Sequence, residues 1–466
     1  MHSAAALALA RWQFGTTTVF HFFFVPLSIG LAPLVAMLET QHYRTGEVAY
    51  RRLAAFFATL FLINFAVGTA TGLVQEFQFG MNWSDFSRFV GDVFGVPLAL
   101  EALVAFFLES TFLGIYIFGR NRLPRWAHLT SAWLLVVGSI LSAAMIMAGN
   151  SWMQNPVGYT INAHTHTAQL TNLWAVLANP IFVLALPHVL LASFLTGGLF
   201  MLGVSAIQLL RGKDVELFRR TMRFAVVWCL ITSFLTMVVG DRLGDVVTRE
   251  QPMKTAAAEA LYHTSAPASF SLFAIGTPGG GRLVFNITVP YILSVLATHS
   301  AAGEVQGIDN LQRQYEKEFG PGNYVPYVPV TYWGFRIMVG MGGLGFLVAL
   351  LGLALMPRGR IDRSRLFWWV SILALPVPYI GVTTGWIYTE MGRQPWTVFR
   401  LLKTAQAVTP STGVVSLAIS LTGFVLLYTL LGLVQLLLSW RAIQSGPPTE
   451  EQLAADHEDG ELELTY

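Results

Sequence analysis

The chain has 466 residues, of which 54% are hydrophobic and only 12% are charged. Soluble domains carry about 25% charged residues, so this composition excludes an ordinary soluble protein. The net charge of +2 is spread thinly and forms no basic cluster, which excludes a nucleic-acid partner. The single cysteine, Cys229, excludes an internal disulfide and a thiolate-bound iron–sulfur cluster.

Apolar stretches recur along most of the chain, and each is long enough to cross a bilayer as a helix. The sequence therefore predicts an all-α, polytopic membrane protein with a single integral domain over residues 1–466. No cleavage site follows Arg11, so we expect the N-terminus to be retained. The predicted spans are 15–41, 52–75, 94–119, 126–149, 178–210, 218–240, 330–356, 366–389 and 411–440.

Arginine and lysine are concentrated in alternate connections between these spans, which sets the orientation. By the positive-inside rule the rich connections are cytoplasmic, so the N-terminus lies outside and the C-terminus inside. The basic residues on the predicted outer side are an exception: Arg393, Arg400 and Lys403. Those of the cytoplasmic connections are Arg44, Arg51, Arg52, Arg120, Arg122, Arg125, Arg211, Lys213, Arg219, Arg220, Arg358, Arg360, Arg363 and Arg365.

One connection, residues 241–329, is long and polar, and it contains a charged, helix-like piece, DNLQRQYEKEF. Long ordered loops are uncommon and often functional, and this loop is predicted to lie outside. Residues 442–466 are rich in Asp and Glu and are predicted to form a solvated cytoplasmic tail.

Two carboxylates, Glu101 and Glu109, lie in the third predicted span, EALVAFFLESTFLGIYIFG. An acidic group within a membrane costs about 2.5 to 3.5 kcal/mol by insertion scales, so it is a functional candidate. On one α-helix these two are ~12 Å apart along the axis and ~80° apart around it. Either they belong to one proton route, or they are neutral or paired groups that hold helices together.

Three further residues within predicted spans are candidate iron ligands: His21, His188 and Met338. Imidazole and thioether both ligate haem iron. The alternatives are a hydrogen-bonded structural role for each histidine and simple packing for the methionine.

Polar motifs lie at two span ends. In TEMGRQPW, Glu390 and Arg393 can pair or together grip an anion such as a haem propionate, and Gly392 ends the helix. In QPMKTAAAE, Lys254 and Glu259 are five residues apart and would not face each other on one helix. They are either solvated loop charges or a cation and a carboxylate that bind and deprotonate a quinol.

Together these motifs resemble subunit I of the cytochrome bd-type quinol oxidases, in the form with a short quinol-binding loop (Q-loop). The resemblance covers residues 11 to about 400 and rests on long motifs: VFHFFFVPLSIGL, QEFQFGMNWSDFSRFVGDVFGVPLALEALVAFFLEST, QPMKTAAAE, TYWGFRIMVG and TEMGRQPW. It implies a multi-pass protein of the bacterial cytoplasmic membrane that contains low-spin haem b, high-spin haem b and haem d.

The resemblance also implies residue roles. His188 and Met338 correspond to the axial pair of the low-spin haem b, with Arg336 close to that haem. His21 and Glu390 correspond to the ligands of the two high-spin haems, and which residue binds which haem stays open. Glu101, Glu109 and Ser110 correspond to residues that conduct protons or lie close to a haem. Trp386 corresponds to an aromatic residue between haems, and Arg393 to an arginine near a haem. Lys254 and Glu259 correspond to residues that bind quinol.

The implied activity is oxidation of ubiquinol or menaquinol at the outer face and reduction of dioxygen to water with cytoplasmic protons. This builds a membrane potential without a pump. The implied partners are subunit II and small single-helix accessory subunits. A rival function from another class is a secondary ion transporter, which also uses carboxylates near the membrane midplane but needs no haem.

Overall fold

The computed structural model describes residues 4–277 and 279–453. Most of these residues are helical, and helix bounds are as follows: α1 Ala4–Thr45, α2 Val48–Met81, α3 Ser84–Leu100, α4 Phe107–Phe118, α5 Arg125–Gln154, α6 Leu173–Leu177, α7 Pro180–Arg211, α8 Val215–Glu250, α9 Pro252–Ala258, α10 Ile292–Thr298, α11 Ile308–Phe319, α12 Val328–Leu355, α13 Arg365–Leu373, α14 Pro376–Met391, α15 Thr404–Ala407 and α16 Val414–Ser445. A π-helical segment, Glu101–Phe106, joins α3 to α4, and a 3-10 turn covers Pro357–Gly359.

Short strands pair only as antiparallel two-stranded ribbons in the described part of the chain. Their bounds are β1 Tyr159–Ile161, β2 Ala168–Leu170, β3 Phe270–Gly276, β4 Leu283–Val289, β5 Trp396–Val398 and β6 Leu402–Lys403. The prediction of an all-α membrane fold is confirmed, because the described residues contain nine helical stretches long and apolar enough to cross a bilayer.

Several predicted boundaries are wrong by about one to three turns. The first helix begins at Ala4 rather than 15, and the third span begins at Ser84 rather than 94. Helix α8 continues to Glu250, ten residues beyond the predicted end at 240. These extensions carry polar residues, so hydropathy underestimates helices that project beyond the apolar layer.

The eighth span is broken into α13 and α14 just before Pro376. Proline lacks an amide hydrogen and disfavours the helical conformation in the residue before it, which explains a break at this point. Helix α14 then ends at Met391, and the predicted helix stop at Gly392 is confirmed.

The centre of the bundle is built by α1, α2, α7 and α8, and α1 meets α7 at a pair of glycines. A Cβ atom at Gly30 would collide with the backbone of Ser193 and Gly197, and one at Gly197 would collide with Gly30. Small residues allow helix backbones in membranes to approach closely. This contact fixes the two helices that carry His21 and His188.

Ion pairs join the arginine-rich connections at one end of the bundle. Arg52 donates to Asp214 at 2.8 Å, Arg220 lies 2.9 Å from Glu47, and Arg223 pairs with Asp362. These connections follow α1, α7 and α12, so the structure gathers at one end the segments that the charge pattern assigned to one side.

The long loop at the opposite end is folded rather than irregular. Helix α11 forms where DNLQRQYEKEF predicted one, and it buries Ile308, Leu311 and Tyr315. With α9, α10 and the β3–β4 hairpin, it covers the end of the bundle. The predicted tail beginning at 442 starts inside α16, which ends at Ser445, and its residues 454–466 lie outside the described residues.

Candidate functional site

A cavity of about 1870 Å³ runs through the bundle and reaches the covering loop. Its walls are mostly apolar and come from spans at both ends of the sequence. The predicted site residues that line it are His21, Glu101, Glu109, His188, Lys254, Glu259, Met338, Trp386, Glu390 and Arg393. Ser110 and Arg336 are not among the described lining residues.

His188 of α7 has one ring nitrogen fixed by the backbone of α8. Its Nδ1 lies 3.2 Å from the carbonyl oxygen of Thr236 and therefore donates a hydrogen to it. In the neutral imidazole the lone pair is then on Nε2. Gly240 makes room for the ring, because a Cβ there would lie 2.9 Å from Cε1 of His188.

His21 of α1 is held by an equivalent contact with α2. Its Nδ1 lies 3.1 Å from the hydroxyl of Thr71, and that hydroxyl donates to the carbonyl oxygen of Gly68 at 2.9 Å. The Thr71 oxygen therefore accepts from Nδ1, which again leaves the lone pair on Nε2. Gly72 gives the ring its space, with a Cβ position 3.0 Å from Cε1.

Met338 of α12 packs against α14 beside the same cavity. A Cβ atom at Gly385 would lie 2.7 Å from its Sδ. The glycine therefore admits the thioether between the two helices. Trp386, the next residue on α14, lies against Phe22 with ring centroids 6.5 Å apart.

Glu390 and Arg393 form an ion pair where α14 ends. The second oxygen of Glu390 accepts from Asn150 of α5 at 2.9 Å. Arg393 is only 5% exposed, and its Nε and Nη1 have no hydrogen-bond partner among the described residues. A buried guanidinium with unpaired donors favours an anion beside it.

Glu101 and Glu109 each accept from a serine of α5. Ser142 donates to Glu101 at 2.7 Å, and Ser139 donates to Glu109. The predicted 80° separation is wrong, because residues 101–106 form a π-helical segment whose turn is wider than an α-helical turn. π-Helical segments are frequent at functional sites, and this one begins at Glu101.

A third carboxylate, Glu76 of α2, also lines the cavity and is close enough to Glu101 to interact electrostatically. The sequence reasoning missed it because the predicted span ended at residue 75. The signal was present, since Glu76 continues the helix into QEFQF. The amides of Asn150 and Gln154 were missed for the same reason, as they follow the end predicted for the fourth span.

Lys254 and Glu259 have different partners. This agrees with the expectation that residues five apart on one helix do not face each other. Lys254 is buried and donates to Gln154 at 2.9 Å. Burial and, to a smaller extent, the charge of Arg393 lower the pKa of Lys254 from 10.5 to about 7, against the opposing effect of Glu390. Burial raises the pKa of Glu259, against the opposing effect of Arg336.

Arg336 is engaged by the covering loop and not by the cavity. It pairs with Glu259 at 2.6 Å and donates to the carbonyl oxygens of Ser271 at 2.7 Å and Ala258 at 3.1 Å. Arg336 thus ties α9 and β3 to α12 and fixes the carboxylate that the quinol hypothesis invokes.

Ser110 lies on an exposed face of α4, and its hydroxyl donates to the carbonyl oxygen of Phe107 at 3.3 Å. The structure therefore separates Ser110 from Glu109, which is 7% exposed and faces the cavity.

Comparison with known proteins identifies the family. Residues 9–447 match the model of the cytochrome bd terminal oxidase subunit I family. The chain belongs to this family. It is 44% identical to cytochrome bd ubiquinol oxidase subunit 1 of Bacillus subtilis, with 94% of each chain covered. It is 37% identical to cytochrome bd-II ubiquinol oxidase subunit 1 of Escherichia coli, over 95% of this chain and 99% of that one.

The structure agrees with this family. The solved bd oxidase of Geobacillus thermodenitrificans superposes with a TM-score of 0.87 and 26% identity, over 96% of this chain and 100% of that one. The chain is therefore an integral membrane subunit of a terminal quinol oxidase, and the family implies haem cofactors and a quinol substrate.

The residues present fit haem. Pockets that bind one drug-sized ligand typically measure about 300 to 1,000 Å³, so a cavity of about 1870 Å³ has room for more than one large ligand. Nitrogen, sulfur and carboxylate donors line apolar walls, and the unpaired N–H groups of Arg393 can receive a propionate. The Nδ1 hydrogen bonds of His21 and His188 are those that iron-ligating histidines typically make.

Proposed function

We propose that this chain is the haem-containing catalytic subunit of a cytochrome bd-type oxidase in a bacterial cytoplasmic membrane. It oxidises quinol at the outer face and reduces dioxygen to water with cytoplasmic protons. The observation that carries the proposal is the single cavity onto which both histidines, Met338 and Glu390 open. The bound haems would supply electron transfer and dioxygen reduction.

His188 and Met338 are the residues that we propose would hold the iron of a low-spin haem b. His188 comes from α7 and Met338 from α12, so the two donors can approach a macrocycle from different helices. The hydrogen bond from Nδ1 to Thr236 holds the imidazole with its lone pair on Nε2. Arg336 keeps the end of α12 attached to the loop beside this site.

His21 and Glu390 are the proposed ligands of the high-spin haem b and of haem d, in either order. Arg393 neutralises Glu390 and offers its unpaired donors to a propionate. Trp386 lines the same cavity, and its ring would lie between the haems.

Quinol binding is proposed at Lys254 and Glu259, where the cavity reaches the folded loop at 251–327. A lysine whose pKa is about 7 can hold or accept a proton near neutral pH. Glu259 is fixed by Arg336 and accepts a proton from a hydroxyl of the quinol. Protons released there leave on the outer side.

Proton supply to the haem cavity is proposed through Glu109 and then Glu101, both held by serine hydroxyls of α5. In the proposed orientation α4 ends on the cytoplasmic side, so protons reach Glu109 first. Ser110 does not line the cavity. It could take part in proton supply only from the exposed face of α4, where a partner subunit would cover it.

Subunit II and small single-helix subunits are the proposed partners. Large apolar side chains are exposed along α16 and along the segment from α3 to α4, where Leu103 is 75% and Phe107 66% exposed. Lipid or partner helices must cover these faces in the membrane.

The test is quinol-driven oxygen uptake by the purified complex. We expect uptake in the native protein and a KM for quinol raised by a factor of ~10 or more in Lys254→Met, because a buried charge-assisted hydrogen bond contributes ~1.5–3 kcal/mol. Lys317→Met, on the exposed face of α11, is the matched control and should behave as the native chain. We expect Glu109→Gln to slow uptake. Ion transport without oxygen uptake would instead support the transporter hypothesis.

A further inference from the structure

Two amide side chains at the end of α5 connect the proposed quinol site to the proposed haem site. Lys254 Nζ donates to Gln154 Oε1 at 2.9 Å, and Gln154 Nε2 donates to Asn150 Oδ1 at 2.8 Å. Asn150 Nδ2 then donates to Glu390 Oε1 at 2.9 Å. Three hydrogen bonds thus form an unbroken chain from an amine to a carboxylate.

These hydrogen bonds have one direction, and the chain is buried at its Lys254 end. Lys254 is 1% and Gln154 4% exposed, whereas Asn150 and Glu390 are partly exposed to the cavity. Every donor points towards Glu390, and aligned hydrogen bonds polarise one another in a medium of low dielectric. Asn150 and Gln154 are four residues apart on one helix, which places their side chains side by side.

The backbone holds the middle of this chain in place. Gln251, immediately before α9, donates from Nε2 to the carbonyl oxygen of Gln154 at 2.7 Å. The segment that carries Lys254 is therefore attached to α5 at two points. A side-chain amide does not release a proton near neutral pH, so this chain of hydrogen bonds does not conduct protons. It orients and polarises the groups that it joins.

We propose that Asn150 and Gln154 are positioning residues that couple the occupancy of the quinol site at Lys254 to the environment of Glu390. A quinol that draws Lys254 away from Gln154 would free the Gln154 amide, weaken its bond to Asn150 and so change the hydrogen bonding of the carboxylate. This inference rests on the proposed function, because it takes Lys254 as a quinol contact and Glu390 as a haem ligand.

The experiment is a double-mutant cycle on the purified complex, read by the absorption spectrum and midpoint potential of the high-spin haems. Lys254→Met alone should shift both readouts. In the Gln154→Leu background, Lys254→Met should cause a markedly smaller shift, because the connection is already broken and only the direct electrostatic effect of Lys254 on Glu390 is left. Shifts that add independently would overturn the coupling.

Three further variants make the result decisive. Gln154→Glu keeps an acceptor for Lys254 but loses the donor to Asn150. It should therefore abolish the coupling and leave the KM for quinol within about twofold. Coupling retained in this variant would also overturn the proposal. Gln208→Leu, which removes a buried amide bonded to the Ile443 carbonyl at the opposite end, should leave spectrum and coupling unchanged. Glu390→Ala should alter the high-spin spectrum; an unaltered spectrum would overturn the proposed ligand instead.

A separate observation concerns a second, small cavity of about 10 Å³ on the loop side of Arg393. It is bordered by Gln251, Arg393 and Trp396, which are 1%, 5% and 5% exposed. Within the part of the chain that the structure describes, no hydrogen-bond partner is found for Gln251 Oε1, Arg393 Nε and Nη1, or Trp396 Nε1. One water molecule needs about this volume and two to four polar partners.

We infer that this cavity binds one structural water that joins the loop to Arg393. Arg393 also borders the large cavity, so one unpaired N–H can serve the water and the other an anion. A map of the complex that resolves ordered water should show density within ~2.7–3.2 Å of Gln251 Oε1 and of an N–H of Arg393 or Trp396. Empty space there, in a map that shows other buried waters, would overturn the inference.

Discussion

His21 and His188 are oriented by hydrogen bonds that cannot be predicted from the sequence. The partner of His21 is the Thr71 hydroxyl, fifty residues away, and the partner of His188 is the backbone carbonyl of Thr236. In each case Nδ1 is occupied and Nε2 keeps its lone pair. The two imidazoles therefore have the same tautomer, the one in which Nε2 is free to bind a metal.

Thr71→Val should weaken haem binding at His21. Valine has nearly the shape of threonine but cannot accept a hydrogen bond from Nδ1. Loss of the hydrogen bond to the second ring nitrogen of a metal-binding histidine typically lowers metal affinity 10–100-fold. The measurement is haem content and the high-spin absorption bands of the purified complex. Thr59→Val is the control on the same helix, because among the described residues its hydroxyl donates only to the carbonyl oxygen of Ala55. Equal haem retention in the two variants would contradict this role for Thr71.

Lys254 makes a specific contribution to the pH dependence of stability. Its pKa is about 7 in the folded protein against an ordinary 10.5. Between these values the unfolded chain binds a proton that the folded chain does not, so this residue makes stability rise with pH from about 7 to about 10.5. Below about pH 7 Lys254 is protonated in both the folded and the unfolded chain, so it no longer makes stability depend on pH.

Lys254→Met should therefore flatten that rise. The temperature of haem loss, followed from pH 7 to about pH 10, should increase less steeply in the variant than in the native complex. Other titrating groups are common to both proteins and cancel in the difference. Parallel curves would mean that Lys254 keeps its ordinary pKa when folded.

Candidate residues were more predictable than their partners. His21, His188 and Glu109 stand out because polar groups are costly in apolar runs. Glu76 and Gln154 do not, because they lie at span ends where hydropathy has already fallen. Contacts such as that between Lys254 and Gln154 join segments a hundred residues apart, and no local pattern encodes them.

At the scale of elements, the sequence predicted the number of membrane-spanning helices, because crossing a bilayer requires a long apolar run. It did not predict the π-helical segment at 101–106, since EALVAF has no residue that forces a wider turn. The break before Pro376 was available from the sequence, as proline disfavours a continuous helix there.

The crossing of α1 and α7 gives a prediction at this scale. Gly30→Ala should lower the yield and thermal stability of the assembled complex, because its Cβ would meet the backbone of α7. Gly340→Ala is the matched control: no described residue has an atom within 4 Å of its Cβ position, and alanine is favoured over glycine in a helix by roughly 0.5–1 kcal/mol. Equal stability of the two variants would show that the helices can separate without cost.

At the scale of the whole molecule, one bundle brings together residues from 21 to 393 around a continuous cavity, with a folded loop over one end. The long loop was predicted to be functional from its length and polarity alone. Its helices and the Arg336–Glu259 bond show how it is held on the bundle. The resemblance in the motifs predicted the family, which the match over residues 9–447 confirms.

The reduced-minus-oxidised absorption spectrum of the purified complex, in the native form and in Met338→Leu, tests the central claim most directly. We expect low-spin and high-spin haem bands in the native protein. Leucine cannot ligate iron, so Met338→Leu should lose or shift the low-spin band and keep the high-spin bands. A native complex without haem, or a Met338→Leu complex with an unchanged low-spin band, would contradict the account.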